Sequence, residues 1–328
     1  MGHTLESERQ SGERAEMERP NLLMIVPAKW SELASASPNQ DVVNILVHGR
    51  DAYAPESIDY VLSFRPPGRL LKSFPNLKAA FSLGAGVDGF LCDPDYPRRV
   101  PLVRFADKTL AAEMAQFVLM HVLIHHRRQR LFDEAQSKRQ WRQMVLPRRT
   151  EETRVAILGL GEIGGFVAQR FVELGFPVSG WSRTRKDFPG VKSFAGEKEL
   201  VSFLGQANIL VCLLSLTRRT AGILNAGTFA AMPEGGFVIN VARGSHLIES
   251  DLIAALDRGH LSGAVLDVFE EEPLAKANPL WSHPKITVTP HIAAISQPAI
   301  AVQSVLDGIA AFERGERPAN IVDIETAY

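Results

Sequence analysis

Only two cysteines, Cys92 and Cys212, occur in 328 residues, and Cys212 lies inside the apolar run ILVCLL. Neither a disulfide framework nor a cysteine metal cluster can be built from them, and a reducing compartment suits them. No apolar run is long enough to span a bilayer. Neither sign of charge dominates: 36 Lys and Arg stand against 37 Asp and Glu, a formal net charge of -1. The field of the whole chain therefore gives no reason to expect nucleic acid or an anionic membrane as partner, and the basic segments HHRRQR and PRRT read as solvated faces. The first twenty residues alternate acid and base without the apolar centre of a signal peptide, and their Glu content argues against a transit peptide. A disordered tail over residues 1–20 and a cytoplasmic chain are the expectations. What remains is a small ligand.

What is present is alternation. From Asn21 to about Val103 the runs NLLMIVP, VVNILVH, DYVLSF, LKAAFSLGAG and VPLVRF are separated by polar or Pro/Gly-rich breaks, the pattern of a small α/β unit. TLAAEMAQFVLMHVLIHH is apolar on nearly every face and predicts a long helix buried against another core or another subunit. The basic HHRRQR after it would complement the negative end of the helix dipole. His125 and His126 are adjacent and so point apart, which disfavours a metal pair. From Arg154 on, RVAILGL, PVSGWS, ANILVCLLSL, GGFVINVA, SGAVLDVF and KITVTP alternate with helical pieces, which predicts a parallel sheet covered on both faces. The last segment, SQPAIAVQSVLDGIAAFERGE, predicts a helix with Ile300, Val305 and Ile309 on its apolar side, ending near Gly315.

Gly159, Leu160, Gly161, Glu162, Ile163 and Gly164 spell G-x-G-x-x-G directly after a β-type run and at the start of an amphipathic segment. In that context Gly159 allows the tight turn, Gly161 lets backbone approach a pyrophosphate, and Gly164 packs helix on strand, while the helix N-terminus offers N–H groups to phosphate. The next strand ends in GWSRTRK. Where an acid would accept hydrogen bonds from an unsubstituted ribose, the chain has Ser182 followed by Arg183. Donors and positive charge favour a 2′-phosphate, hence NADP(H), with Arg183 as its partner, Ser182 and Thr184 as hydroxyl donors, and Arg185 or Lys186 as a second charge. NAD(H) stands as a second cofactor.

Three chemistry-bearing residues close successive strand-like runs: Arg243 in NVARG, Glu272 in LDVFEEEPL and His291 in VTPHIAA. Carboxyl ends of strands in an open α/β sheet face the ligand crevice.

These motifs, together with LGAGVDGF, LGLGEIGG, WSRTRK and TPHIAAI, resemble the D-isomer-specific 2-hydroxyacid dehydrogenases, and within them the bacterial-type glyoxylate/hydroxypyruvate reductases, from about Asn21 to the C-terminus. The resemblance implies two Rossmann-like domains: a doubly wound parallel sheet in the cofactor domain and a smaller flavodoxin-like substrate domain. It places the substrate domain at residues 21–103 and 293–328 and the dinucleotide-binding domain at 104–292, with substrate in the cleft between them. It implies Arg243, Glu272 and His291 as the catalytic set for reducing a 2-keto acid, which needs a hydride on carbon, a proton on oxygen and an anchor for the carboxylate: His291 to supply the proton, Glu272 to steady the imidazolium, and Arg243 to grip the carboxylate and polarise the carbonyl. Asp267 would hold the nicotinamide carboxamide with the Val241 carbonyl nearby, and the backbone of Ala85, Gly86 and Val87 would bind the substrate carboxylate. A homodimer is implied, and Trp141 resembles a position that shapes a neighbour's active site. Ser215 stands where many relatives have Pro, and Gln297 where some have Arg. The activity so implied is NADPH-dependent reduction of glyoxylate to glycolate and hydroxypyruvate to D-glycerate. A bulkier 2-keto acid such as phenylpyruvate, or a non-catalytic dinucleotide sensor, are the alternatives.

Overall fold

The computed structural model describes residues 19–324 apart from 36, 38, 39 and 319. In chain order the elements are β1 (Asn21–Ile25), α1 (Ala28–Ser35), β2 (Asn44–Val47), β3 (Tyr60–Ser63), β4 (Ala79–Ser82), α2 (Asp88–Leu91), β5 (Leu102–Arg104), α3 (Lys108–His126) and α4 (Gln129–Ser137). There follow β6 (Val155–Leu158), α5 (Glu162–Glu173), β7 (Val178–Ser182), β8 (Val191–Ala195), α6 (Gly196–Leu204), β9 (Ile209–Cys212), α7 (Ala226–Ala231) and β10 (Gly236–Asn240). The last are α8 (Glu249–Asp257), β11 (Leu261–Leu266), β12 (Ile286–Val288) and α9 (Pro298–Glu313). Two compact units result: the described residues up to Ala106 together with those from Ser296 on, and Asp107–Ile295. Most of the tail expected over residues 1–20 lies outside the described residues. Arg19 and Pro20 already lead into the sheet, where the Pro20 carbonyl accepts the Asn44 N–H at 2.9 Å.

The first unit is a five-stranded parallel sheet in the order β2-β1-β3-β4-β5, the flavodoxin-like arrangement. Every residue of β3 and β4 is buried, as short apolar runs covered on both faces require. Leu23, Val61 and Ala80 join Phe74 and Phe90 in one core. On α9, Gly308 brings the helix against Phe81, whose ring also meets Tyr60 and Phe312.

The second unit is a seven-stranded sheet in the order β12-β11-β10-β9-β6-β7-β8, every pairing parallel. Its cores follow the period of two along each strand. Ala156, Leu158, Leu210, Cys212 and Val238 enter one core, and Val155, Ile157, Ile209, Val211 and Ile239 the opposite one. That is the doubly wound α/β fold, with its strand order reversing between β6 and β9. Among the described residues no helix is long and apolar enough to cross a membrane.

Two expectations need correction, one in α9 and one in α3. In α9 the buried face is Ala301, Val302, Val305, Leu306 and Ile309, whereas Ile300 is exposed. As expected the helix ends close to Gly315: Glu313 is its last residue, Arg314 its C-cap, and Gly315 follows with φ of +75°, which suits a residue without a side chain. In α3 the last-turn histidines are poor dipole partners. The His125 ring stacks on Phe237 at 3.9 Å between centroids, and burial, with Arg128 adding repulsion, pushes its pKa down to about 4. Burial lowers His126 too. Both rings are neutral near pH 7, so Arg127 and Arg128 supply the positive charge there.

Candidate active site

The phosphate turn lies where the strand order reverses. Gly159 leaves β6 with φ of +107°, and a Cβ on it would stand 2.7 Å from the Leu213 carbonyl oxygen beyond β9. A Cβ on Gly164 would come within 1.8 Å of the Gly159 carbonyl oxygen, so helix and turn meet backbone to backbone. Gly161 is the N-cap of α5 and no side chain caps it, so the first-turn amides, from Glu162 and Ile163 on, are presented to an anion. The Leu160 side chain turns inward and is buried against Gly180, where a Cβ would lie 2.4 Å from Leu160 Cδ2. Leu160 therefore serves a ligand through its backbone alone. These close approaches fit a bound dinucleotide pyrophosphate.

At the end of β7 the Ser182 hydroxyl is buried and donates to the Thr184 carbonyl at 2.7 Å, so its proton closes the turn instead of facing outward. Arg185 pairs with Glu199 at 2.6 and 2.8 Å and also meets the Ser193 carbonyl, which removes it as a ready second charge. Arg183 is exposed and makes no hydrogen bond or ion pair among the described residues. Thr184 and Lys186 are exposed beside it.

The other strand ends assemble the chemistry. The buried Val241 follows β10, its N–H donating to the Cys212 carbonyl at 3.4 Å. Arg243 is half-buried, and its Nη1 donates to the Ala242 carbonyl at 2.7 Å. Gly244 lets this loop abut the backbone after β11: a Cβ there would be 1.9 Å from the Phe269 carbonyl carbon. In that same turn Glu272 Oε1 accepts the Phe269 N–H at 2.9 Å, and Oε2 lies 2.7 Å from His291 Nδ1. With Nδ1 donating to the carboxylate, Nε2 is the nitrogen left to face a reactant. The side chains of His291 and Glu272 are 48% and 35% exposed, so the pair is accessible.

His291 has φ of +55°, a left-handed conformation that an L residue adopts only when its surroundings impose it. Asp267 imposes it. Its fully buried carboxylate accepts from the Thr289 hydroxyl at 2.6 Å, the Ile292 N–H at 2.9 Å and the Ala293 N–H at 2.8 Å, while its carbonyl accepts the His291 N–H at 2.8 Å. One lone-pair position on Oδ2 remains for a further donor.

The candidate substrate loop belongs to the other unit. After β4 the N–H groups of Ala85, Gly86 and Val87 have no acceptor among the described residues, and the Ser82 hydroxyl lies 3.1 and 3.0 Å from the Gly84 and Gly86 carbonyls. A Cβ on Gly89 would meet the Phe64 carbonyl oxygen at 2.4 Å, which draws α2 tight against the end of β3.

Residues 119–293 match the model of the D-isomer specific 2-hydroxyacid dehydrogenase NAD binding domain. The chain is also 42% identical over 275 residues to a glyoxylate/hydroxypyruvate reductase A of Yersinia enterocolitica, covering 82% of this chain and 88% of that one. The chain belongs to the D-isomer-specific 2-hydroxyacid dehydrogenase family. Among solved structures, one of this family from Xanthobacter autotrophicus, in complex with NADPH and MES, superposes with a TM-score of 0.86 at 38% identity, covering 94% of this chain and all (100%) of that one. An NADPH-dependent glyoxylate/hydroxypyruvate reductase from Sinorhizobium meliloti, in complex with NADP and sulfate, has the same TM-score of 0.86 at 34% identity over 94% and 100%.

Several residues that this dehydrogenase uses to build the site are silent in the sequence. Gly244 was visible in NVARG only as a neighbour of Arg243. His246 is fully buried, its Nδ1 3.2 Å from the Arg243 carbonyl and its Nε2 3.3 Å from the Ser215 carbonyl, so it ties two loops together. Thr289 and Gly180 carry no motif of their own. Gln297, outside this unit, is the exposed N-cap of α9. Among the described residues no group of three or more His, Cys, Asp or Glu is placed to hold a metal.

Proposed function

We propose that the chain is an NADPH-dependent reductase that converts glyoxylate to glycolate and hydroxypyruvate to D-glycerate. The observation that carries this reading is the 2.7 Å pair of Glu272 and His291, with the Arg243 loop drawn against the Glu272 turn through Gly244. Reduced nicotinamide, when bound, supplies the hydride. C2 of the keto acid accepts it, and the carbonyl oxygen takes the proton held at His291 Nε2, while Glu272 keeps the ring oriented and balances its charge. Arg243 holds the carboxylate and polarises the carbonyl, so developing charge on oxygen meets a fixed cation. The amides of Ala85, Gly86 and Val87 offer donors suited to a carboxylate.

The Gly159, Gly161 and Gly164 turn with the start of α5 takes the pyrophosphate, and Arg183 with Thr184 and Lys186 reads the 2′-phosphate. The remaining lone pair of Asp267 Oδ2 and the Val241 carbonyl accept the nicotinamide carboxamide. The similar proteins from Yersinia and Sinorhizobium bear the name of this activity, and two similar structures hold NADPH or NADP, which supports the reading. The chain works in the cytoplasm as a homodimer. Exposed Met120 and Leu123 on α3, and Trp141 and Val145 beyond α4, provide the apolar surface for a second copy.

The deciding experiment is steady-state reduction of glyoxylate, hydroxypyruvate and phenylpyruvate with NADPH and with NADH. The two small acids with NADPH should give the highest kcat/KM. A larger value for phenylpyruvate would move the reading to a bulkier substrate, and a higher value with NADH would overturn the cofactor assignment.

A further inference from the structure

Arg183 sits on a segment held at both ends. At its start, Ser182 donates to the Thr184 carbonyl at 2.7 Å. Next, the Lys186 N–H donates to Ser193 Oγ at 3.1 Å, and Arg185 is clamped on Glu199 at 2.6 Å. At its end the segment returns to α5: Gln169 Nε2 donates to the Pro189 carbonyl at 2.8 Å, and the half-buried Phe188 ring lies over Gly165.

That last contact has a feature no fingerprint accounts for. Gly165 follows the three glycines of the phosphate turn and lies within α5, where glycine is destabilising relative to alanine. A glycine so placed calls for a packing reason. Here a Cβ at position 165 would come within 2.3 Å of Phe188 Cζ and 2.4 Å of Cε1. The missing side chain is the seat of the ring. Phe188 in turn joins the apolar residues packed on the core under β6 and α5. The exposed turn is thus fastened to the same helix that begins at the phosphate turn.

We propose that Phe188, seated on Gly165, is a positioning residue that presets the Arg183 turn for a 2′-phosphate, so that selectivity for NADPH over NADH depends on this ring. The inference rests on the NADPH reading above. Its physical basis is preorganisation: a guanidinium on an already ordered turn loses less freedom on meeting phosphate than one on a loop that must first be fixed. The pyrophosphate shared by both nucleotides is met elsewhere, at the Gly159 to Gly164 turn.

The test is calorimetric binding of adenosine 2′,5′-bisphosphate and of 5′-AMP to the full chain, in wild type, Arg183→Ala, Phe188→Ala, Phe188→Leu and the Arg183→Ala/Phe188→Ala double variant, with thermal melting as the check of folding. Phe188→Ala should weaken the 2′-phosphorylated probe about tenfold, change 5′-AMP less than about twofold, and add nothing in the Arg183→Ala background, the signature of coupled residues. Phe188→Leu should restore part of the loss. Should Phe188→Ala not fold, Gly165→Ala, which forces the ring from its seat, takes its place with the same expected ratio. Equal weakening of both probes, or additive losses in the double variant, would overturn the inference. A wild type that binds both probes alike would instead bring down the NADPH reading itself, whereas a preference lost in Arg183→Ala but kept in Phe188→Ala would reject only the role of the ring.

Discussion

Glu272 divides its carboxylate: Oε1 accepts the N–H of Phe269, three residues back in the same turn, and Oε2 meets His291 Nδ1 at 2.7 Å. The carboxylate that orients the imidazole is therefore fixed, through its other oxygen, by the backbone of the strand-end loop. Glu272→Gln keeps the size but removes the charge that balances an imidazolium. It should lower kcat for glyoxylate by about 10²-fold, and His291→Ala by about 10²–10⁴-fold, with NADPH affinity measured by fluorescence titration nearly unchanged. A kcat for His291→Ala close to wild type would remove the proposed acid.

Asp267 holds the loop that displays His291 in its left-handed conformation through three side-chain hydrogen bonds. Asp267→Asn turns an acceptor into a donor and leaves a buried N–H of the loop unpaired, a change that costs about 1–3 kcal/mol. Urea unfolding should register a loss of that size. The kcat should fall as well, because His291 loses its fixed placement. Thr289→Val, which removes one donor only, should cost less in both measurements.

Which parts of this could be read from the chain alone follows from how local each cause is. The runs RVAILGL, ANILVCLLSL and GGFVINVA are apolar because β6, β9 and β10 are covered on both faces, so their burial is written in composition. β8 is not legible in the sequence because it is an edge strand: Val191-Lys192-Ser193-Phe194-Ala195 buries only Phe194 fully and carries polar residues outward. The pattern that singles out Arg183 also pointed to Arg185. Only the position of Glu199, in the helix after β8, shows that Arg185 is engaged elsewhere. Likewise His125 and His126 looked like a basic helix end because the sequence does not show Phe237 lying against the His125 ring. Gly244 and Gly165 carry the same lesson: what fills the place of the absent Cβ comes from a distant part of the chain.

Gly244 permits a contact that no larger residue can share. Any Cβ there would run into the Phe269–Glu270 backbone, with the nearest atom at 1.9 Å, so Gly244→Ala must separate the Arg243 loop from the turn that carries Glu272. Backbone cannot yield as a flexible side chain does. The variant should lose at least about tenfold in kcat/KM for glyoxylate, consistent with the sensitivity of reacting groups to misplacement. Its affinity for 5′-AMP, which depends on the Gly159 to Gly164 turn, should stay near wild type. Equal loss of both would mean that the substitution disturbs the whole unit.

The proposed dimer rests on surface that a lone chain would leave wet. Trp141 and Val145 are 92% and 91% exposed, on a segment without regular structure after α4. Large side chains at that exposure are costly unless something covers them. Sedimentation should give twice the chain mass for the wild type, and Trp141→Glu with Val145→Glu should shift it toward one chain mass. If the wild type sediments as a single chain, the homodimer is wrong.

Stability in mild acid should depend on His125. Burial holds its folded pKa at about 4, against about 6.5 in the unfolded chain. Between those values the unfolded chain binds a proton that the folded chain refuses, so stability rises with pH through this window. The contribution is fully present above about pH 6.5 and is lost as pH falls toward 4, with a span of about 3 kcal/mol. His125→Phe preserves an aromatic face for Phe237 and has nothing to titrate. Urea unfolding from pH 7.5 down to pH 4.5 should therefore show a shallower decline for His125→Phe than for wild type. Parallel curves would place the acid sensitivity elsewhere and show that the buried ring accepts its proton without loss of the fold.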